Sequence, residues 1–413
     1  MARLGAVDVK RGAANSVRMI SFDEAVAIIA SAAEPLGSEP VPLAEAAGRM
    51  LAAPVVAVID SPRANVSAMD GYAVRGADLA EFPLRLSVIG QSLPGLGSDK
   101  IVSPGTCVRI FTGAPLPGGA DRIVIQEQVR REDDAITIDG PPGSKSWVRP
   151  RGADFRAGDT LLQSGRRLDP AALIAAAGAD CGEVEVALRP RLSLLGTGDE
   201  LAEPGQARAS ALAVPDSASL GVAALAERWG SHIVGSARLR DELETMRAAA
   251  GDAVNGGDVV VVTGGASVGE RDFAKAAFEP LGLELLFSKV AIRPGMPAWF
   301  GRAGGKLVLG LPGNPTSALV TARLLLAPLL CALQGRPTAA ALGWEPARLE
   351  TPLPPCDHRE TFHRASLSGG SASLLGFQES HAQKALADAD VIVRQAANSA
   401  ATPAGKTLQA LRL

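Results

Sequence analysis

Aromatic residues are scarce in this sequence: ten Phe, four Trp and one Tyr among 413 residues, 4% in all. Cysteine and histidine are scarcer, with four of each, and neither sign of charge dominates, with 41 Lys and Arg against 44 Asp and Glu. Each shortage excludes something. A net charge of −3 and a pI near 5.9 lack the basic face of a dedicated nucleic-acid binder. Cys107, Cys181, Cys331 and Cys356 are far apart and form no C-x-x-C pair. They fit neither a zinc knuckle nor a disulfide framework, and read as reduced, mostly buried thiols. The scattered histidines make no metal site, and His358 and His363 read as a solvated loop pair. Residues 1–19 lack the continuous apolar stretch of a secretory signal. The most apolar segment, 318–333, is interrupted by Arg323 and Pro328, and falls short of the ~20 residues of a membrane span. The expectation is a cytoplasmic protein with neither nucleic acid nor membrane as partner.

What is plentiful is glycine, 45 residues, and proline, 29, within a chain that is 47% hydrophobic. That apolar content is enough to build cores, and the length implies roughly two to four domains. Ser21 and Glu24 form a capping box, with Ala25, Ile28, Ile29 and Ala32 following at helical spacing. A second helix is predicted over 43–51. From Val55 the texture changes to short β-type runs, at 84–90, 107–111, 122–126 and 135–138, punctuated by Gly and Pro. Residues 147–158 are turn-rich, and 170–178 return to helix. The expected organisation is a mixed domain of residues 18–54 plus 149–190, interrupted by a β-rich module over 55–148.

From Arg191 strands and helices alternate. Strands are predicted at 191–195, 232–239, 258–263, 283–292 and 306–311, and helices at 217–229, 241–254, 273–281 and 315–333. The run DVVVVT at 258–263 is apolar on both faces, as a central parallel strand is. The expected fold class is multidomain α/β plus β: a doubly wound α/β domain over 191–335 and a small, barrel-like β domain over 336–413.

Three loops at successive strand ends carry the chemistry. They are GTGDEL at 196–201, GGASVGERD at 264–272 and PGNPTS at 312–317. Glycines admit a phosphate close to backbone N–H groups, and a helix N-terminus adds partial positive charge. Gly196, Thr197, Gly264, Gly265, Ser267, Gly313 and Asn314 are therefore the candidate phosphate or nucleotide contacts. The loop GLPGNPTSA lacks the Gly-Lys-Ser/Thr ending of a Walker A motif, and no G-x-G-x-x-G follows a strand. Carboxylates crowd the same strand ends: Asp199 and Glu200, Asp241 and Glu242, Glu270 and Asp272. Mg²⁺ bridging to a phosphate prefers such oxygen ligands. Glu242 reads as a solvated first-turn residue, and for Asp272 an N-cap competes with metal binding. Lys289 and Arg293 lie four apart, on one face of the predicted strand, as surface cations or as an oxyanion site.

The order of motifs is specific. SAMDGYAV (67–74), FTGAPLPGGAD (111–121), RPRGADFRAGD (149–159), LLGTGDEL (194–201), TGGASVGERDF (263–273), KVAIRPGMP (289–297) and GLPGNPTSA (310–318) run along essentially the full chain. In this the sequence resembles the MoeA/gephyrin-E family, the molybdopterin molybdenumtransferases. The resemblance implies insertion of molybdate into adenylylated molybdopterin with release of AMP, assisted by Mg²⁺. It implies a homodimer with sites shared between subunits, and transient contact with other enzymes of molybdenum cofactor synthesis. It implies activity roles for Asp70 and Thr112, and a substrate role for Arg151 with Asp154. Glu200, Asp241 and Asp272 are implied for metal and pyrophosphate, and Lys289 and Arg293, with Arg151, for molybdate or substrate phosphates. Two positions depart from the family pattern: Met296 stands where relatives often have lysine, and Asp216-Ser217-Ala218 lacks the usual asparagine. A molybdopterin adenylyltransferase and a non-catalytic molybdopterin-binding scaffold are the alternatives. The lone Tyr72 is expected to support the loop that carries Asp70.

Overall fold

The structure, a computed structural model, describes residues 18–265 and 273–413. Two compact units divide the chain: residues 40–186 form one, and the rest forms the other. Helix α1 (Phe22–Ala32) opens as its sequence predicts. The Ser21 hydroxyl accepts the Glu24 N–H at 3.2 Å, and the Ser21 N–H donates to the Glu24 carboxylate at 2.8 Å.

In the unit of residues 40–186, strands β1 (Gly71–Val74), β2 (Leu84–Ser92), β3 (Thr106–Ile110), β4 (Arg122–Ile125), β5 (Arg130–Glu132) and β6 (Ala135–Ile138) form one sheet. Its order is β4-β1-β3-β2-β6-β5, and within it only β2 and β3 run parallel. Helix α2 (Pro170–Gly178) is capped by Asp169, which accepts the Ala172 N–H at 2.8 Å. Its Ala172 and Ala176 join Leu51, Val55, Leu168 and Val186 in a separate core. The helix predicted over 43–51 does not form. A single 3₁₀ turn at Leu43–Glu45 is followed by Gly48 at φ +75°, a left-handed residue that ends a helix. Beyond it, Met50 and Leu51 make β-bridges to Arg167 and Val186 instead.

The larger unit is built on β7 (Arg191–Thr197), α3 (Ser217–Arg228), β8 (His232–Leu239), α4 (Leu243–Gly256), β9 (Val259–Thr263), α5 (Phe273–Phe278), β10 (Glu284–Phe287), β11 (Ile292–Arg293), β12 (Trp299–Ala303), β13 (Lys306–Leu311) and α6 (Pro315–Leu333). The sheet order is β8-β7-β9-β13-β12-β10, parallel from β8 to β13 and antiparallel beyond. Every residue of β9 is buried, because both faces are covered. Leu192, Leu194, Val259 and Val261 pack with α3 and α6 on one face, while Val260, Val262 and Val308 pack with α4 and α5 on the other. Helix α1, grouped above with residues 149–190, adds Phe22, Ala25 and Ile29 to the first of these cores.

The predicted strand 283–292 is two strands in two sheets. β10 ends at Phe287, and β11 pairs with a strand of the C-terminal domain. The backbone between them is claimed elsewhere: Ile20 donates to Lys289 O and accepts from Ala291 N–H, and Ala291 O accepts from Glu360 N–H. Lys289 and Arg293 therefore do not share a strand face.

Helix α6 is 89% buried, a core helix despite its apolar length. It carries a π-helical stretch at Ala322–Leu326 that includes Arg323. That guanidinium donates to Arg412 O at 2.7 Å and Ala341 O at 2.9 Å and sits 5.0 Å over the Trp229 ring.

The C-terminal domain contains β14 (Glu345–Leu349), β15 (Glu360–Ser368), β16 (Ser371–Leu374), β17 (Val391–Gln395) and β18 (Thr407–Arg412). The order β11-β15-β16-β14-β18-β17, with β17 returning to pair β15, closes a five-stranded barrel with β11 attached. His363 lies on β15 and is 8% exposed, so it is a buried strand residue and not half of a solvated loop pair. The cysteines are all free thiols, with Cys107 and Cys331 buried; burial pushes Cys107 up to about 12.

Candidate active site

Strands β7, β9 and β13 are parallel neighbours, so their carboxyl ends and the three Gly-rich loops meet at one edge of the sheet. The loops touch. Gly264 has φ +90°, and a Cβ there would lie 2.4 Å from Thr197 O; one on Gly313 would lie 3.2 Å from Gly264 Cα. Only glycine permits this convergence. The loops wall a cavity of about 590 Å³ lined by Thr197, Glu200, Asp241, Gly264, Gly265, Lys289, Gly313 and Asn314. Gly196 is buried within β7, behind the wall. Ser267 and Asp272 lie outside the described residues.

Glu200 and Asp241 bring two carboxylates to the wall, and the Asp241 N–H donates to Asp199 at 3.1 Å. Among the described residues no group of three or more His, Cys, Asp or Glu is placed to hold a metal ion. Two carboxylates beside a phosphate cradle still fit Mg²⁺, which is held by one or two carboxylates together with substrate oxygens and water. Asp216 also lines this cavity and is buried, its carboxylate capping α3 through the Ser219 N–H at 3.1 Å.

A second cavity, of about 780 Å³, adjoins the first, and Met296, Pro297, Pro312 and Asn314 line both. Arg293 faces this one, so the break between β10 and β11 sends Lys289 and Arg293 to different chambers. The barrel supplies much of the second wall, including Asp357, Arg359, His363 and Ser380. Asn314 bridges loop and barrel by donating to Ser380 Oγ at 3.1 Å. Arg359, hydrogen-bonded through side chain and backbone, holds the Asp357 carboxyl down to about 2. Sequence reasoning missed all four barrel residues, because the tail carries no motif and its strands become neighbours of the loops only through β11.

In the other unit two separate motifs meet. Thr112 donates to Asp70 Oδ1 from its N–H at 2.7 Å and from its hydroxyl at 2.8 Å, and these bonds hold the Asp70 carboxyl below its ordinary range. Tyr72 is buried beneath the Arg109 guanidinium, 5.0 Å from its ring centroid, which fits the support role expected of it. Arg151 pairs with Asp60, a residue the motif reading missed. Asp154 donates its N–H to Ser61 O at 2.9 Å. The N–H of Ala157, then Arg151, depress the Asp60 carboxyl.

Residues 20–179 match the MoeA N-terminal region (domain I and II), and residues 193–332 match the probable molybdopterin binding domain. A molybdopterin molybdenumtransferase of Nostoc sp. is 33% identical over 376 residues, covering 84% of each chain. The chain belongs to the molybdopterin molybdenumtransferase family. A relative with that name in Haemophilus influenzae is 38% identical over 303 residues, 73% of this chain and 74% of that one. Among solved structures, the molybdopterin biosynthesis MoeA protein from Pyrococcus horikosii is 30% identical, with a TM-score of 0.81 over 96% of this chain and 99% of that one. Of the two matched segments, 193–332 carries the three loops, Lys289 and Arg293, and 20–179 carries Asp70, Thr112, Arg151 and Asp154.

Proposed function

We propose that this molybdenumtransferase inserts molybdate into the dithiolene of adenylylated molybdopterin and releases AMP by hydrolysis of the pyrophosphate link. The adjoining pair of cavities carries the reading. One is an amide-rich cradle with carboxylates and a lysine, suited to a pyrophosphate. The other presents Arg293, suited to an oxyanion. A substrate lying across Asn314 and Met296 would bring its dithiolene end to the second chamber while its pyrophosphate stays in the first.

In this assignment the amides of Gly264, Gly265 and Gly313 bind the phosphates, and Lys289 adds a point charge. Glu200 and Asp241 hold Mg²⁺, with Asp272 as the third acid implied by the motif. When bound, the cation neutralises charge that develops on the leaving phosphate. Phosphoanhydride cleavage is chiefly positioning and charge stabilisation, and losing one such contact costs about 10²–10³-fold in rate. Arg293 receives molybdate, and Arg151 with Asp154 binds substrate phosphate. Asp70 and Thr112 act on the site of a second copy of the chain, which makes the working form a homodimer; the location is cytoplasmic.

The deciding experiment offers the protein two mixtures: adenylylated molybdopterin with molybdate, and free molybdopterin with ATP. AMP release and molybdenum-loaded pterin in the first are expected. Adenylylation in the second with no reaction in the first would overturn the proposal in favour of an adenylyltransferase.

A further inference from the structure

The second chamber holds a histidine in an unusual position. His363 on β15 lines the chamber with Arg293, whose strand β11 pairs with β15 at Glu360 and Thr361. Its tautomer is fixed by its neighbours. Gln395 Nε2 donates to Pro354 O at 2.8 Å, which leaves Gln395 Oε1 to accept, and His363 Nε2 stands 2.8 Å from that oxygen. Nε2 therefore carries the proton of the neutral ring and Nδ1 carries the lone pair.

The chamber's charges nearly cancel while His363 is neutral. Arg359 is tied to Asp357 at 2.8 Å. Glu379 and Arg293 both line the chamber, and Arg293 makes no ion pair among the described residues. Cys356 adds a thiol that contacts Arg359 O and Thr361 Oγ1. Arg364, next along β15, spends its Nη2 on Phe377 O and Glu379 O, both at 3.1 Å. Neutral carbonyls leave the Arg364 charge in place, so a doubly charged tetrahedral oxyanion entering this space meets net positive charge smaller than its own. His363 is the group that changes the balance by taking up a proton.

We propose that His363 is a proton-linked binding residue for a tetrahedral oxyanion in the Arg293 chamber, gaining a proton at Nδ1 as the anion binds. The inference rests on the functional reading above and deepens it. Burial first, and then Arg293 and Arg364, hold the imidazole below its ordinary value, against the opposing bond to Gln395. A dianion beside Arg293 removes that cation's repulsion and adds an attraction of its own, so the charged ring becomes the favoured form. Binding then strengthens as pH falls through the histidine range.

Calorimetric titration of the whole protein with sodium molybdate tests this, across the pH range in which histidine titrates and molybdate stays a dianion. Repeating it in buffers of different ionisation heat reads out the protons bound. Uptake approaching one proton per anion is expected between the free-state and bound-state midpoints, with affinity falling about tenfold per pH unit as pH rises across that interval. His363→Gln, which keeps a hydrogen-bonding partner for Gln395, should bind more weakly with a flat profile and no uptake. Gln395→Glu, which places a carboxylate at Nε2, should move the midpoint to higher pH. A flat wild-type profile, or uptake unchanged in His363→Gln, overturns the role of His363 and leaves the proposed function standing. Absence of molybdate binding at every pH overturns the oxyanion reading of the chamber and this inference together.

Discussion

Asp70 Oδ1 accepts two hydrogen bonds from Thr112, the N–H at 2.7 Å and the hydroxyl at 2.8 Å, across 42 positions of sequence. The bonds join the SAMDGYAV turn to the FTGAP turn and leave the second carboxylate oxygen outside this pair of bonds. Because they depress the carboxyl's pKa, the tie is complete above the ordinary carboxylate range and is lost as pH falls through the folded value. Asp70→Asn should abolish AMP release while thermal unfolding shifts little, since the pair is partly exposed. Thr112→Val should lose less, because the N–H bond remains. Equal losses in the two variants would remove Asp70 from the reaction and leave it a loop tie.

Glu200 and Asp241 stand on different loops yet line one wall. Glu200→Gln and Asp241→Asn should each lower the rate of AMP release about 10²-fold. The double variant should lose less than the product of the two, as groups serving one ion do. Steady-state assays over a range of Mg²⁺ concentrations check this, and each single variant should need more Mg²⁺ for half-maximal rate.

The proposed sharing of sites between subunits predicts complementation. The Asp70→Asn homodimer is expected to be inactive and the Glu200→Gln homodimer about 10²-fold slower than wild type. Mixed and refolded together, they should regain activity, because some mixed dimers then hold one intact site. Activity that stays absent after exchange, with mixed dimers verified by mass, would place Asp70 and Glu200 on the same subunit's site.

Gly310 tests the packing beneath the PGN loop. A Cβ there would lie 1.9 Å from Trp299 Nε1, inside a core where Trp299 also meets the Phe278 ring edge-on at 6.1 Å. Gly310→Ala should cost about 1–3 kcal/mol in stability, as overpacking does. Chemical denaturation reads this directly, and Trp299→Phe in the same background should restore part of it.

Arg323 predicts a larger loss. Its head bonds two carbonyls inside the core, and burial pushes its pKa down to about 10. Arg323→Met strands Arg412 O and Ala341 O, at about 1–3 kcal/mol for each unsatisfied group. The Tm should fall by many degrees with AMP chemistry unchanged at low temperature.

Much of this was legible in the residues. The Ser21 and Glu24 cap, the all-apolar run of β9 and the three Gly-rich loops each state their role locally, because capping, double-sided burial and close backbone approach depend on a few adjacent side chains. Three things were not legible. A helix over 43–51 looked sound until the left-handed Gly48 stopped it. The stretch 283–292 looked like one strand, because nothing in its own residues shows that Ile20 and Glu360 take its backbone bonds. His363 looked solvated, because its hydrogen-bond partner Gln395 lies more than thirty positions away, held in turn by Pro354 O. Local rules found the loops of the proposed phosphate cradle; the chamber with Arg293 needed the long-range pairing.

The two residues of β11 also set an order of assembly. They lie within the α/β segment, yet their hydrogen-bonded partner, β15, begins at Glu360. During synthesis on a ribosome, Arg293 emerges well before the strand that fixes it exists. The Lys289 chamber is lined by nothing beyond Pro315, whereas the Arg293 chamber takes much of its wall from residues 351–395. A chain ended before residue 351 would therefore carry every residue of the proposed phosphate cradle and lack most of the wall around Arg293.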